Sequence, residues 1–410
     1  MGIEHVETLI IGGGQAGLAM SHMLAQRGLP HLVLERSSIA ERWRSERWLG
    51  LRFQFPNWSV SLPEFPFRHP EPDGFASAGE ILDYLRAYAR FVSPPIRCGV
   101  AVKAVRVNPG GDGFAAECST GPISARNIVV ATGPYQQPIV PAAAKHLDIP
   151  HVHASRYRSP EALPSGGVLV VGSGASGAQI AEELVRAGRE VHLAVGRHRR
   201  MPRRYRGRDL MWWLAELGLD RMTVQERGPD PGLPLVTGAY GGHTIDFREF
   251  ARQGVILTGR VTGIENGRVG LAQDLDESIA IGDAGFLGFL DRIDQHVARR
   301  GLALPADAEA RSFEVDPCPP VAPRCLDLAD RGIASIIWAT GYAADFSWID
   351  APAFNAWGTP VHRSGISDVP GLYFLGLPWL SRMTSSFLSG VGEDAQYLAL
   401  HIAARSVAHA

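Results

Sequence analysis

The sequence contains no C-x-x-C. Its four cysteines, Cys98, Cys118, Cys318 and Cys325, are scattered, which argues against a dithiol redox pair, a zinc site or a disulfide scaffold. Neither H-E-x-x-H nor a G-x-S-x-G nucleophile elbow is present, so no metal and no nucleophilic triad are expected. No apolar run approaches the roughly 18 residues of a membrane span. The N-terminus leads into a core strand without the cationic segment, apolar run and cleavage site of a signal peptide, so a cytoplasmic protein is expected. Excess charge is missing too: 40 Lys and Arg against 42 Asp and Glu leave a formal net charge of -2, which offers nothing to nucleic acid or to a membrane surface. With 45% hydrophobic and 20% charged residues over 410 positions, the chain reads as a globular protein of two or three domains.

What is present is organised around residues 6–35, VETLIIGGGQAGLAMSHMLAQRGLPHLVLE. The spacing predicts a strand over Val6 to Ile11, a glycine turn, a helix ending at Gly28 and a second strand closing on Glu35. Gly12, Gly14 and Gly17 follow G-x-G-x-x-G: the first allows the tight turn, the second lets backbone approach a pyrophosphate, and the third lets helix and strand pack closely. Glu35 is placed to accept hydrogen bonds from a ribose 2′-hydroxyl, as FAD or NAD requires.

Residues 167–195 repeat the plan about 160 positions later, with Gly172, Gly174 and Gly177 in the turn. One such motif is weak evidence, whereas two copies, each between a strand and a helix, are hard to obtain by accident. The second copy continues into VGRHRRMPRRYRGR. Arginines there, Arg197 and Arg200 among them, suit a 2′-phosphate through charge-assisted hydrogen bonds, so the first site is expected to take FAD and the second NADPH.

Two further strands, IVVATG and SIIWATGY, repeat each other about 200 residues apart and carry Ala131, Thr132, Gly133 and Ala339, Thr340, Gly341. Ser77 and Glu80 form a capping box ahead of a helix. Residues 209–322 are the least legible, with a helix in LMWWLAEL, a glycine loop, a strand pair in VILTGRVTGI and a helix in FLGFLDRIDQHVARRG. Trp212 and Trp213 are adjacent, so only one can face a core. The fold class is α/β, with two Rossmann-like dinucleotide-binding domains. Residues 1–150 are expected to begin the FAD domain, 151–325 to form an inserted NADPH domain, and 326–410 to complete the FAD domain.

The paired glycine motifs and ATG strands, together with LRFQFP, HASRY and the run from GLYFLG to FLSGVGEDA, resemble the class B flavin-dependent monooxygenases. The similarity is greatest to the branch of flavin-containing and plant indole-pyruvate monooxygenases. In HASRY, His153 and Tyr157 keep the family spacing, while Leu147 and Ile149 replace its upstream Phe and Gly. The resemblance implies that NADPH reduces the flavin and that a C4a-(hydro)peroxyflavin passes one oxygen of O₂ to a small apolar or aromatic substrate at nitrogen, sulfur or a carbonyl carbon. It points to Gln54, Asn57 and His153 as catalytic candidates. It assigns Gly12, Gly14, Gln15, Ala16, Gly17, Glu35, Arg36, Trp43, the first ATG, Ser389 and Gly390 to FAD. To NADPH it assigns Gly172, Gly174, Ala175, Ser176, Gly177, Arg197, Arg200 and the second ATG. Asp345 and Trp348 are candidates for the substrate entrance. Expected partners are the substrate and O₂, with a homodimer as the assembly to test. The competing readings are an FAD-dependent reductase feeding a quinone or protein acceptor, and a non-catalytic flavin redox sensor.

Overall fold

A computed structural model describes residues 3–227, 234–312 and 323–408. Cys318 and the parts of the 209–322 region at 228–233 and 313–322 lie outside the described residues. The chain opens with strand β1 (Glu4–Ile11), helix α1 (Gln15–Ala25) and strand β2 (His31–Glu35). Helix α2 (Ala78–Val92) starts at the capping box, where the Ser77 hydroxyl accepts from the Glu80 amide and the Glu80 carboxylate accepts from the Ser77 amide. It buries Ile81, Tyr84, Leu85 and Tyr88 against the first sheet's core. Strand β3 (Ile96–Cys98) then pairs with β2, and a meander of β4 (Val102–Val107) and β5 (Phe114–Cys118) leads into β6 (Gly121–Val130). β6 lies parallel to β1, with Ile11 opposite Val130, and antiparallel to β5.

The second unit has β7 (His151–His153), β8 (Gly167–Val171), helix α3 (Ala175–Arg186) and β9 (Val191–Ala194). A helical segment with α4 (Leu210–Glu216) and α5 (Phe247–Arg252) returns to β10 (Ile256–Thr258). Next come β11 (Val261–Glu265), β12 (Arg268–Leu271), the long α6 (Leu275–Arg300), β13 (Cys325–Asp327) and β14 (Ile333–Trp338). The order is β7-β14-β8-β9-β10, all parallel, and the strands are apolar because both faces are covered. Beyond it, β15 (Leu372–Phe374) pairs parallel with β6, and α7 (Val391–Ala408) packs on α1.

The two sheets share one plan. A glycine loop follows the central strand, an ATG turn follows its neighbour, and an antiparallel meander separates the outer strand from the ATG strand. Three expectations need correction. The second unit runs to Trp338 rather than ending at 325, because β14 pairs with β7 and β8; the return starts at Ala339. VILTGRVTGI is not a hairpin: β10 pairs with β9, whereas β11 pairs with β12 in a separate sheet. The helix seen in FLGFLDRIDQHVARRG begins earlier, at Leu275. Trp213 is fully buried and its indole N–H donates to the Tyr205 carbonyl at 2.9 Å, whereas half-buried Trp212 lies under the Arg208 guanidinium.

Candidate functional site

Both glycine loops are shaped by contacts that only glycine permits. Gly12 and Gly172 have φ of 117° and 104°, and a Cβ on either would sit 2.6 Å from the carbonyl oxygen of Ala131 or Ala339, the first residue of each ATG. A Cβ on Gly17 or Gly177 would lie 1.9 Å from the carbonyl of Gly12 or Gly172, which explains why helix and strand require glycine at the third position. Gly14 and Gly174 differ, because a Cβ there would meet nothing within 4 Å. Those positions face open space over the starts of α1 and α3. Among the described residues neither start has a side-chain cap or an acidic residue in its first turn. The first-turn amides and the positive helix end are thus left for an anion. On this evidence both loops fit a dinucleotide pyrophosphate.

A cavity of about 420 Å³ opens over the first loop. Gly12, Gly14, Gln15, Ala16, Glu35, Arg36, Trp43, Gln54 and the whole first ATG line it, as do Asp345 and Trp348. Gly17 lies behind, in the helix–strand contact. Glu35 is buried, and its carboxylate accepts from the amides of Gly13 at 2.7 Å and Ser37 at 2.9 Å. Its free lone pairs remain for a ribose hydroxyl. The C-terminal tail closes the cavity through Ser386, Phe387 and Leu388, and the Gln15 side-chain Nε2 donates to the Ser386 carbonyl at 2.8 Å. Ser389 and Gly390, the residues expected there, are not in the lining. Gly390 is instead pressed against Thr384, whose carbonyl would stand 2.1 Å from a Cβ, so the contribution to the site shifts upstream.

The three catalytic candidates separate. Gln54 lines the cavity, its Nε2 donates to the Val236 carbonyl at 3.1 Å, and among the described residues its Oε1 accepts nothing. Asn57 does not reach the cavity; it is buried, braces the aromatic loop by donating to the Glu71 carbonyl at 2.9 Å, and leaves its Oδ1 unpaired. His153 is also outside the lining. Its Nδ1 accepts from the Ser155 amide at 3.2 Å, so the proton sits on Nε2, which donates to the Gly341 carbonyl at 3.0 Å. Burial lowers its pKa below the usual imidazole value. This neutral, fully bonded ring ties β7 to the second ATG.

The second loop is followed by arginines with different employment. Arg200 is buried, not free for a nucleotide: it donates to Asp283 at 2.5 Å and Asp246 at 2.7 Å and lies over the Phe286 ring, which corrects its assignment. Arg203, also buried, donates to the Gln54 carbonyl at 2.5 Å and to Asp209 at 2.6 Å, clamping the first unit's aromatic loop to the second unit. Arg197 stays at the surface, 4.0 Å from Glu277. Ala175 and Ser176 occupy the first turn of α3. Thr340 donates to the Ile139 carbonyl at 2.5 Å, and Tyr342 and Ala343 pair with Pro138 and Gln137, so the outgoing and returning crossovers run side by side.

Residues that sequence reasoning passed over include Ser173 and Gln136. The Ser173 hydroxyl accepts from the Gly196 amide at 3.0 Å, and its place between two loop glycines was a readable signal. The Gln136 side chain donates to Thr132 and Gly133 and accepts from the Asp345 amide at 2.8 Å; only the fold brings those residues together.

Residues 9–223, just over half of the chain, match the model of the pyridine nucleotide-disulphide oxidoreductase family. The chain belongs to that family. It is 32% identical over 400 residues to an uncharacterized oxidoreductase CzcO-like of Geobacillus kaustophilus, covering 96% of this chain and 97% of that one. A probable indole-3-pyruvate monooxygenase, YUCCA1 of Arabidopsis thaliana, is 37% identical over 195 residues, 46% of each chain. A flavin-containing monooxygenase from Stenotrophomonas maltophilia shares the fold with a TM-score of 0.66 at 18% identity, over 98% of this chain and 100% of that one. The chain is thus an oxidoreductase by family, similar over its first half to a plant monooxygenase and in fold to a bacterial one.

Proposed function

We propose that the protein is an NADPH- and O₂-dependent monooxygenase that oxygenates a small apolar or aromatic molecule at nitrogen, sulfur or a carbonyl carbon. The observation that carries this reading is the cavity over the first glycine loop, which joins pyrophosphate-binding backbone to an aromatic wall of Trp43, Phe53, Phe55, Tyr135, Trp348 and Phe387. FAD would be held by Gly12, Gly14, Glu35 and the Ala131 to Gly133 turn; NADPH by Gly172, Gly174, Ala175, Ser176, Gly177 and Arg197. Bound together, these cofactors supply hydride and activated oxygen, chemistry that no side chain here provides.

The chain's own residues orient and enclose. The first-turn amides of α1 and α3 offer donors to phosphate oxygens. Gln54 is held by Val236, and its free Oε1 accepts a hydrogen bond from cofactor or substrate without changing charge. The aromatic wall keeps water from the reacting atoms and favours apolar substrates. Tyr135 and Asp345 stand at the crossover between the units and line the same cavity, so substrate would enter there. A cytoplasmic location and a homodimer belong to the same proposal, checked by fractionation and light scattering.

The test compares turnover of the holoenzyme with and without oxygen. With small aryl sulfides, amines and ketones in air, NADPH consumption should rise with substrate, and the product should carry one atom from ¹⁸O₂. Sustained anaerobic turnover with a quinone, and no label in any product, would replace this reading with the reductase.

A further inference from the structure

The second nucleotide site holds an arginine that neither the glycine motif nor the cluster after it contains. We propose that Arg260, at the end of β10, joins Arg197 in binding the 2′-phosphate of NADPH, and that Asp274 holds Arg260 in place for this; the proposal rests on assigning NADPH to the second loop.

The argument begins at Gly196. Strand β9 leaves the sheet at Ala194, and the backbone there is tied to the glycine loop by the bond between the Gly196 amide and Ser173. This strand end is where a ribose 2′ position lies in a β-α-β nucleotide site. Gly196 has no side chain, and the Cγ and Cδ of Arg260 lie 3.5 Å from where its Cβ would be. β10 pairs with β9 in register, Thr258 opposite Ala194, so Arg260 emerges beside the same exit. Arg197 leaves from the residue after Gly196. Two arginines, each just past the end of one of two neighbouring strands, therefore meet at one short piece of backbone.

Their hydrogen bonding leaves capacity for an anion. The Asp274 carboxylate accepts from the Arg260 amide at 3.1 Å and from its Nε at 2.5 Å. That arrangement fixes the side chain at its stem. Among the described residues, the two terminal nitrogens of Arg260 make no hydrogen bond, and Arg197 has only Glu277 at 4.0 Å. Both arginines are largely exposed. Arginine's terminal nitrogens form the bidentate fork that suits phosphate, and fixing Nε beforehand removes part of the ordering cost of binding. Arg200 and Arg203 of the cluster are by contrast buried in structural pairs.

The experiment measures binding to the purified holoenzyme by calorimetry, with adenosine 2′,5′-bisphosphate and adenosine 5′-monophosphate as probes. The monophosphate reports on a folded site that lacks only the 2′-phosphate contact. Expected is tighter binding of the bisphosphate by the natural protein, and about a tenfold or greater loss of that affinity in Arg260→Ala and in Arg197→Ala, with monophosphate binding within about twofold of the natural value. Asp274→Asn should give a smaller loss in the same probe only. If Arg197→Ala loses the preference and Arg260→Ala keeps it, the role of Arg260 is overturned while the NADPH assignment stands. Equal weakening of both probes by Arg260→Ala also overturns it. If the natural protein binds the two probes equally, the NADPH assignment itself falls.

Discussion

The two glycine loops differ in which partner supplies the side chain. In the first unit the strand provides it: Glu35 reaches back and accepts from the Gly13 amide at 2.7 Å. In the second unit the loop provides it, and Ser173, the counterpart of Gly13, reaches forward to accept from the Gly196 amide at 3.0 Å. Registers make the equivalence explicit, since Ile11 pairs with Leu34 and Val171 with Ala194. The position matching Glu35 is thus Val195, which is fully buried, and Arg197 stands two residues beyond. The comparison teaches that the same loop–strand brace can be built from either side, and that the side chosen decides which side chain stands at the strand end. A carboxylate brace leaves an acceptor there; a serine brace leaves room for cations.

The largest expected effect tests whether the loops are as alike as they look. Gly17→Ala and Gly177→Ala each force a Cβ to within 1.9 Å of a carbonyl oxygen, beyond what local relaxation absorbs at the usual cost of about 1–3 kcal/mol for overpacking. Gly17→Ala should be purified largely without flavin, whereas Gly177→Ala should retain flavin and lose NADPH binding; absorbance and calorimetry read the two. Loss of flavin from Gly177→Ala would break the division of labour.

The braces come next. Ser173→Ala leaves the Gly196 amide without its partner, a cost of about 1–3 kcal/mol, and should weaken NADPH without changing flavin content. Glu35→Gln keeps one acceptor oxygen and gives up the charge, so flavin affinity should drop by about tenfold, read by dialysis. Equal responses of the two sites to either change would show the braces to be interchangeable.

A smaller effect follows from buried imidazoles. Desolvation lowers the pKa of His153, His192 and His198 in the second unit and of His31 and His362 in the first. The unfolded chain takes up protons near pH 6.5 where the folded one does not, so their stability contribution is present above that pH and lost as the pH falls. His243 opposes this, because its bond to Glu182 raises its pKa, and its contribution is lost as the pH rises. Five groups against one predict a melting midpoint that falls from pH 7 to pH 5, and His153→Asn should reduce the slope. A flat profile would contradict it.

Much of this was legible. G-x-G-x-x-G is readable because each glycine answers to a local demand: Gly12, Gly17, Gly172 and Gly177 sit in contacts that only glycine permits, while Gly14 and Gly174 face open space. The capping box was readable because its partners lie three residues apart. The ATG turns were readable as a repeat, though not their purpose, which is to press a carbonyl against the first glycine of each loop. The partners of His153 were not legible, because a motif records spacing and not what fills both ring nitrogens. Arg200 was misread because its partners, Asp246 and Asp283, are 46 and 83 residues away. The boundary at 325 failed because an apolar strand such as Ile333–Trp338 carries no mark of the sheet it joins.

Local chemistry therefore settled the existence of two Rossmann-like units, each with its glycine loop, since turns, caps and strand periods involve residues close in the chain. Folding alone decided which arginines remain available and which tail loop closes the cavity over the first glycine loop. It also decided that Arg260 comes to lie beside Gly196. Those outcomes depend on pairs separated by tens to hundreds of residues, where burial and competing carboxylates, rather than residue type, assign each side chain its task.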